Sequence, residues 1–196
     1  MAALPPVDPQ EVARLERDFG ACAHLSYDVP MAASSLDYWL RRIPSKRRAE
    51  VGMVIVGPEG RVLTHTKPHY PGGTFRILTG GIKPRERVLP ALRREVWEET
   101  GLTVEIERLL AVIEYRFTDS ARQLPFATYL FLGRSDGSAP SPQDEDERIS
   151  EFRDVLPGDL NGVADRLERL PQQWDDWGRF RAIANRAAAE LLSAKT

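Results

Sequence analysis

Between Gly80 and Leu102 the chain reads GGIKPRERVLPALRREVWEETGL, and this segment constrains the molecule more than any other. A helix is predicted from Glu86 to Gly101, with Pro90 tolerated in its first turn and Gly101 placed just past its end. At about 100° per residue, Glu95, Glu98 and Glu99 fall at i, i+3 and i+4 within an arc of roughly 100°. Three carboxylates on one face repel each other and destabilise a helix unless a cation offsets them. Mg²⁺ or Mn²⁺, hard ions that prefer oxygen ligands and keep several waters, would turn this face into a site for phosphate oxygens. Gly80 and Gly81 let backbone approach a ligand closely, and a carbonyl there could complete the coordination. Arg94 is next to Glu95 and four residues before Glu98, so it can pair with a carboxylate and fix its orientation. The plainer reading of the same charges is a solvated acidic face balanced by Arg87, Arg93 and Arg94.

Composition sets the frame around this segment. The 196 residues carry 27 Lys plus Arg against 29 Asp plus Glu, a net charge of −2, with 42% apolar and 29% charged residues, as in one ordinary soluble domain with appendages. The near-neutral balance supplies no general basic field, so nucleic acid is not the expected partner. The single cysteine, Cys22, excludes an intrachain disulfide and a zinc site built on cysteines, and fits a reducing compartment. His65 and His69 flank a loop and have only His24 as company in the chain, so they read as polar loop histidines rather than zinc ligands. The N-terminus lacks a basic region followed by an apolar one, and no apolar stretch approaches membrane-spanning length. The expectation is a cytoplasmic protein.

Along the chain, residues 1–48 read as an N-terminal helical extension. Asp8, Pro9 and Glu11 open one helix that closes at Gly20; a second runs from Ser34 or Ser35 to Ile43 and stops at Pro44. Residues 49–157 read as the core domain, with strands at Val51–Val56, Arg61–Thr66, Phe75–Leu78, Val104–Phe117, Phe126–Leu132 and Ile149–Val155. Alternation places Leu109, Ala111, Ile113, Tyr115 and Phe117 on one face. Residues 158–196 read as C-terminal helices packed on the core, the last carrying a buried stripe of Trp174, Trp177, Ala184, Ala187 and Leu191. The basic cluster Arg41, Arg42, Lys46, Arg47 and Arg48 reads as a solvated helix end.

The segment from Gly80 to Leu102 resembles the Nudix box, G-x5-E-x7-R-E-U-x-E-E-x-G-U with U apolar, at every specified position. The complete match, both end glycines included, favours the metal site over the solvated acidic face. The resemblance implies an α/β fold, an α/β/α sandwich with a mixed β-sheet, extended here by helices at both ends. It also implies a divalent-metal-dependent hydrolase that cleaves the pyrophosphate of a nucleoside diphosphate linked to another moiety. Position by position, Glu95, Glu98 and Glu99 match the metal-binding carboxylates, Gly81 the glycine whose carbonyl joins them, and Glu86 with Arg94 a pair that braces loop against helix. A further acid, acting as base or extra ligand, is expected from Asp144-Glu145-Asp146-Glu147, with Glu147 first and Glu145 next.

Substrate signatures outside the box are missing or displaced. Thr118 stands where related enzymes carry a diagnostic proline or tyrosine, Tyr115 comes early and Pro125 late, and Thr79 precedes Gly80. The added terminal segments could build a homodimer that walls a larger pocket, which favours a nucleotide-sugar or ADP-ribose-like substrate. The alternatives are a nucleoside triphosphate pyrophosphohydrolase and a regulatory domain that binds nucleotide without hydrolysis.

Overall fold

The computed structural model describes residues 5–194, with backbone alone at 44–46. Its elements are α1 (Pro9–Phe19), β1 (Ala23–Pro30), α2 (Ala33–Lys46), β2 (Ala49–Val56), β3 (Val62–Thr66), β4 (Leu78–Ile82), α3 (Val88–Thr100), β5 (Glu105–Thr118), β6 (Gln123–Arg134), β7 (Glu151–Val155), α4 (Leu160–Glu168) and α5 (Asp175–Ser193). The strands form one mixed, open sheet in the order β1-β5-β6-β2-β3-β7, with β4 paired to β2. β1 runs parallel to β5 and β2 parallel to β6; the remaining pairs are antiparallel.

Each face of the sheet is covered by helices, which gives the expected α/β/α sandwich. On one face Leu36, Trp39 and Ile43 of α2 and Phe180, Ala184, Ala187 and Ala188 of α5 pack on Ile113, Tyr115, Phe117 and Phe126. Phe180 stands edge-on to Tyr115 and to Phe117, each at 5.0 Å between ring centroids. Burying each such ring contributes about 1.5–3 kcal/mol. On the other face Val12 and Leu15 of α1 and Val88, Ala91, Leu92 and Val96 of α3 pack on Val51, Met53, Val112 and Phe131. The apolar stripe of α3 therefore points into the core and leaves its acidic face free to form a site.

The first 48 residues differ from the expected run of helices, because Ala23–Pro30 forms an edge strand paired with residues 111–118. Most of its side chains are exposed or half-buried, so the strand is held by backbone pairing and shows no strong apolar run. α2 begins at Ala33, where Asp176 accepts from the Ala32 N–H at 2.9 Å, and runs through Pro44 until the Arg47 N–H closes on Ile43 O at 3.0 Å. In β5, register shifts near Leu109 break the alternation: Leu109 turns to the α1/α3 face, and Leu110 joins Ala111 on the other.

β4 lies later than Phe75–Leu78 and includes Gly80 and Gly81, paired with β2 from Ala49↔Ile82 to Met53↔Leu78. The buried stripe of α5 is centred on Phe180, Ala184 and Ala187, whereas Trp174, Trp177 and Leu191 are only half-buried. His65 is also repositioned. It is fully buried on β3, burial and the cations Arg76, Lys67 and Arg181 hold its pKa well below the usual histidine value, and neither ring nitrogen has a partner among the described residues.

Candidate active site

Arg94 organises the face of α3. Its guanidinium donates to both Glu86 oxygens at 2.9 and 2.8 Å, to Glu95 Oε1 at 2.7 Å, to Glu98 Oε2 at 2.8 Å and to Gly81 O at 2.9 Å. One side chain thus ties the loop at Glu86, the strand at Gly81 and two of the three helix carboxylates together. Burial pulls the Glu86 carboxyl upward, but the Arg94 bonds and the Lys83 N–H offset this and leave it below its usual range. Gly101 closes the helix in the left-handed conformation (φ 66°), its N–H bonding Trp97 O at 2.8 Å.

Gly80 is required by contact: a Cβ there would lie 2.1 Å from the Glu95 carboxylate carbon. Glu95 and Glu99 are both buried, and burial pushes both carboxyls up, Glu99 to about 8 against the pull of Arg76 and Lys67. Glu147 raises both further, so its carboxylate faces the same space. The loop that carries it is docked on the end of α3: Ser141 N–H bonds Thr100 O at 2.8 Å, and the N–H groups of Gln143 and Asp144 bond Glu98 O at 2.9 and 3.1 Å. A 3₁₀ turn over Glu145–Glu147, capped by Asp144, then turns Glu147 inward to Lys67 Nζ at 2.7 Å, while Glu145 and Asp146 stay exposed. Lys67 also lies 3.8 Å from Glu99.

Above this floor lies a cleft of about 390 Å³. Glu95 and Glu147 line it together with the cations Arg42, Arg47, Lys67, Arg76, Lys83 and Arg181. Arg47 comes from the end of α2, and burial holds its pKa below the usual arginine value despite Glu50 and Glu95. Arg181, from α5, is anchored on the buried Glu50, with both carboxylate oxygens at 2.8 Å, and on Thr79 Oγ1 at 3.1 Å. The expected solvated basic cluster is therefore divided. Arg47 enters the cleft, and Arg48 is buried against Glu11 at 2.6 Å, where it joins α1 to the core. Beside the cleft lies a second hollow of about 440 Å³ walled by Tyr38, Trp39, His69, Tyr70, Trp174 and Trp177. Of these residues, Tyr38, Trp39, His69, Tyr70 and Trp177 line both spaces.

A family model described as NUDIX domain matches residues 46–177. The chain belongs to the Nudix family. An NAD-capped RNA hydrolase of Chromobacterium violaceum is 28% identical over 175 residues, which cover 81% of this Nudix chain and 62% of the relative. An RNA pyrophosphohydrolase of Actinobacillus pleuropneumoniae is 31% identical over 130 residues, 66% of this chain and 57% of the relative. The chain thus spans 62% and 57% of the lengths of these two relatives. Among solved structures, the dihydroneopterin triphosphate pyrophosphohydrolase of E. coli superposes with a TM-score of 0.50 at 18% identity, over 77% of this chain and 98% of that one, a likeness of fold.

Nudix hydrolases generally use divalent metal ions. The residues of this chain fit such an ion in chemistry. Glu95, Glu98 and Glu99 offer hard oxygen donors, and two of them are buried carboxylates whose pKa values burial raises, so that a cation beside them would offset the cost of their charge. In the structure Arg94 draws Glu95 and Glu98 to itself and Lys67 lies beside Glu99, and the three carboxylates are not gathered within 4.8 Å of one another. Gly81 O is engaged by Arg94 and keeps a second lone pair.

Sequence reasoning missed Lys67, Arg76, Lys83 and Arg181 as cleft residues. The Pro/Gly-rich composition of 65–74 was a signal for a loop, but nothing in it marked Lys67 as the partner of Glu147.

Proposed function

We propose that this Nudix chain hydrolyses the pyrophosphate bond of a nucleoside diphosphate linked to another moiety. The observation that carries this reading is the joint lining of one cleft: carboxylates on the α3 side, six cations around them, and an adjacent aromatic hollow that shares five lining residues with the cleft. A diphosphate is complementary to the cations, and a flat base is complementary to the aromatic walls. In this account Glu95, Glu98 and Glu99, with the Gly81 carbonyl, hold Mg²⁺ or Mn²⁺. Such an ion supplies charge neutralisation and activation of water.

The chain's own residues do the rest. Arg94 keeps Glu95 and Glu98 aligned and braces the Glu86 loop. Arg47, Lys83 and Arg181 bind the non-bridging oxygens of the diphosphate. Glu147, positioned by Lys67, accepts the proton of the water that attacks one phosphorus in line. That attack forms one P–O bond and breaks the bridging P–O bond, releasing a nucleoside monophosphate and the phosphorylated second moiety. We assign the hydrolytic residues to the core at 49–157 and treat 1–48 and 158–196 as extensions that supply Tyr38, Arg47, Trp177 and Arg181 to the pocket. A nucleotide-sugar or ADP-ribose-like substrate suits a cleft and hollow joined in this way. A homodimer would extend these walls, and light scattering on the full chain tests it.

The deciding experiment offers the purified chain, with Mg²⁺ or Mn²⁺, ADP-ribose, sugar nucleotides, dinucleoside polyphosphates, triphosphates and capped RNA, and separates the products by chromatography. AMP plus a sugar phosphate supports the proposal. Nucleoside monophosphate plus pyrophosphate points instead to triphosphate hydrolysis, cleavage of capped RNA alone to the chemistry for which the Chromobacterium violaceum relative is named, and binding without turnover to a regulatory domain.

A further inference from the structure

A second cluster of ligating side chains lies away from the cleft, where the end of α1 meets the start of β1. Cys22 and His24 are two residues apart on extended chain and so project to the same side, and Glu16 reaches them from the helix. Cys22 Sγ is 3.4 Å from Glu16 Oε1 and 3.8 Å from His24 Nε2, and His24 Nε2 is 3.1 Å from Glu16 Oε1. A tetrahedral zinc ion, with bonds of about 2.3 Å to sulfur and 2.0–2.1 Å to nitrogen and oxygen, sets its ligand atoms roughly 3.3–3.6 Å apart. The three side chains form a triangle with sides of 3.1, 3.4 and 3.8 Å, within about 0.2 Å of that range. Among the described residues it is the only trio of His, Cys, Asp or Glu whose ligand atoms all lie within 4.8 Å of one another.

We propose that Glu16, Cys22 and His24 form a metal site, separate from the box carboxylates, for a borderline divalent ion of the zinc class. The donor chemistry separates the two sites. One sulfur, one imidazole nitrogen and one carboxylate select a thiophilic ion, whereas the all-oxygen face of α3 selects Mg²⁺ or Mn²⁺. None of the three residues lines the cleft. The His24 side chain is 56% exposed and that of Glu16 31%, so an ion can enter and water can take the fourth position. A lone cysteine is therefore enough for a sulfur-containing zinc site once a histidine and a carboxylate join it. The bound ion would pin the last turns of α1 to the edge strand, two elements otherwise joined by a short turn.

The simplest competing account is a hydrogen-bonded trio with no affinity for metal, and cobalt distinguishes the two. Full-length protein, freed of metal with EDTA and returned to buffer containing excess Mg²⁺, is titrated with Co²⁺. Burial and the Glu16 carboxylate push the Cys22 thiol up to about 11, so an ion must displace its proton, and thiolate-to-cobalt charge-transfer absorption reports that event directly. The expected result is a band that saturates at one equivalent of Co²⁺ and is displaced by Zn²⁺. It is lost in Cys22→Ser, weakened about tenfold or more in His24→Asn and Glu16→Gln, and retained in Glu99→Gln. Absence of the band in the wild-type chain overturns the proposal. So does a band whose affinity is unchanged by His24→Asn, which would mark a lone thiol collecting cobalt.

Discussion

The acidic face of α3 and the wall opposite it meet in one cleft but are built in different ways. Glu95, Glu98 and Glu99 come from five consecutive residues of one helix, and helical geometry alone puts them together. The wall draws Tyr38 and Arg47 from the region of α2, Lys67 and Tyr70 from a loop, and Trp177 and Arg181 from α5. Under the proposed function this difference becomes a division of labour, in which the α3 face would perform the same chemistry on any diphosphate that the wall admits. Changes on the face should therefore lower kcat, and changes in the wall should act on KM.

The largest effect is expected for Glu98→Gln, which removes a box carboxylate at a half-exposed position and should lower kcat by several orders of magnitude while circular dichroism shows an intact fold. Wild-type turnover in this variant would remove the α3 face from the account. Glu147→Gln should follow, with a loss of about 10²–10⁴ in kcat if it is the proton acceptor. The same change at Glu145, which is exposed on the turn, should leave kcat within about twofold of wild type, since surface positions away from such features contribute little. In the wall, Trp177→Ala should raise KM by roughly 5- to 150-fold, the value of about 1–3 kcal/mol for one lost base stack, with kcat held.

The smallest effect is on stability. Burial pushes the Glu99 carboxyl up to about 8 in the folded chain, against 4.5 for the free group, which the unfolded chain resembles. A raised folded value means that its contribution is complete below about pH 4.5 and is lost as pH rises through about 8. Without metal, Glu99→Gln should then raise Tm more at pH 9 than at pH 6, at about 2–4 °C per kcal/mol for a chain of this size. Scanning both proteins in EDTA at the two pH values checks this, and equal shifts would show that burial of the charge is not what Glu99 contributes.

The same contrast explains how much could be read from the sequence. The box, its helix and the Gly101 terminus were legible because they depend on local spacing and on one left-handed residue. Glu147 ranks first among four adjacent acids in the sequence, but no spacing rule singles it out; three hydrogen bonds from Ser141, Gln143 and Asp144 to the end of α3 are what hold the loop so that this acid points inward. β1 was not legible because its pairing with β5 uses backbone groups, which leave no periodic trace in the mostly exposed side chains. Trp174 and Trp177 have helical spacing suited to a core stripe, and that spacing does not report that loop residues His69 and Tyr70 stop beside them and leave a hollow. His65 read as a loop residue because the prolines and glycines after it are close in sequence, yet β3 carries it into the interior. Arg47 and Arg181, distant in sequence, share Glu50 as an electrostatic partner only after the sheet has formed.

A double-mutant cycle tests the division between face and wall most directly. kcat/KM is measured on the preferred diphosphate for wild type, Glu147→Gln, Trp177→Ala and the double variant. The account predicts that the two losses add within about 0.5 kcal/mol, with the Glu147 loss in kcat and the Trp177 loss in KM. A coupling well above that, or a Trp177→Ala loss carried by kcat, would contradict it.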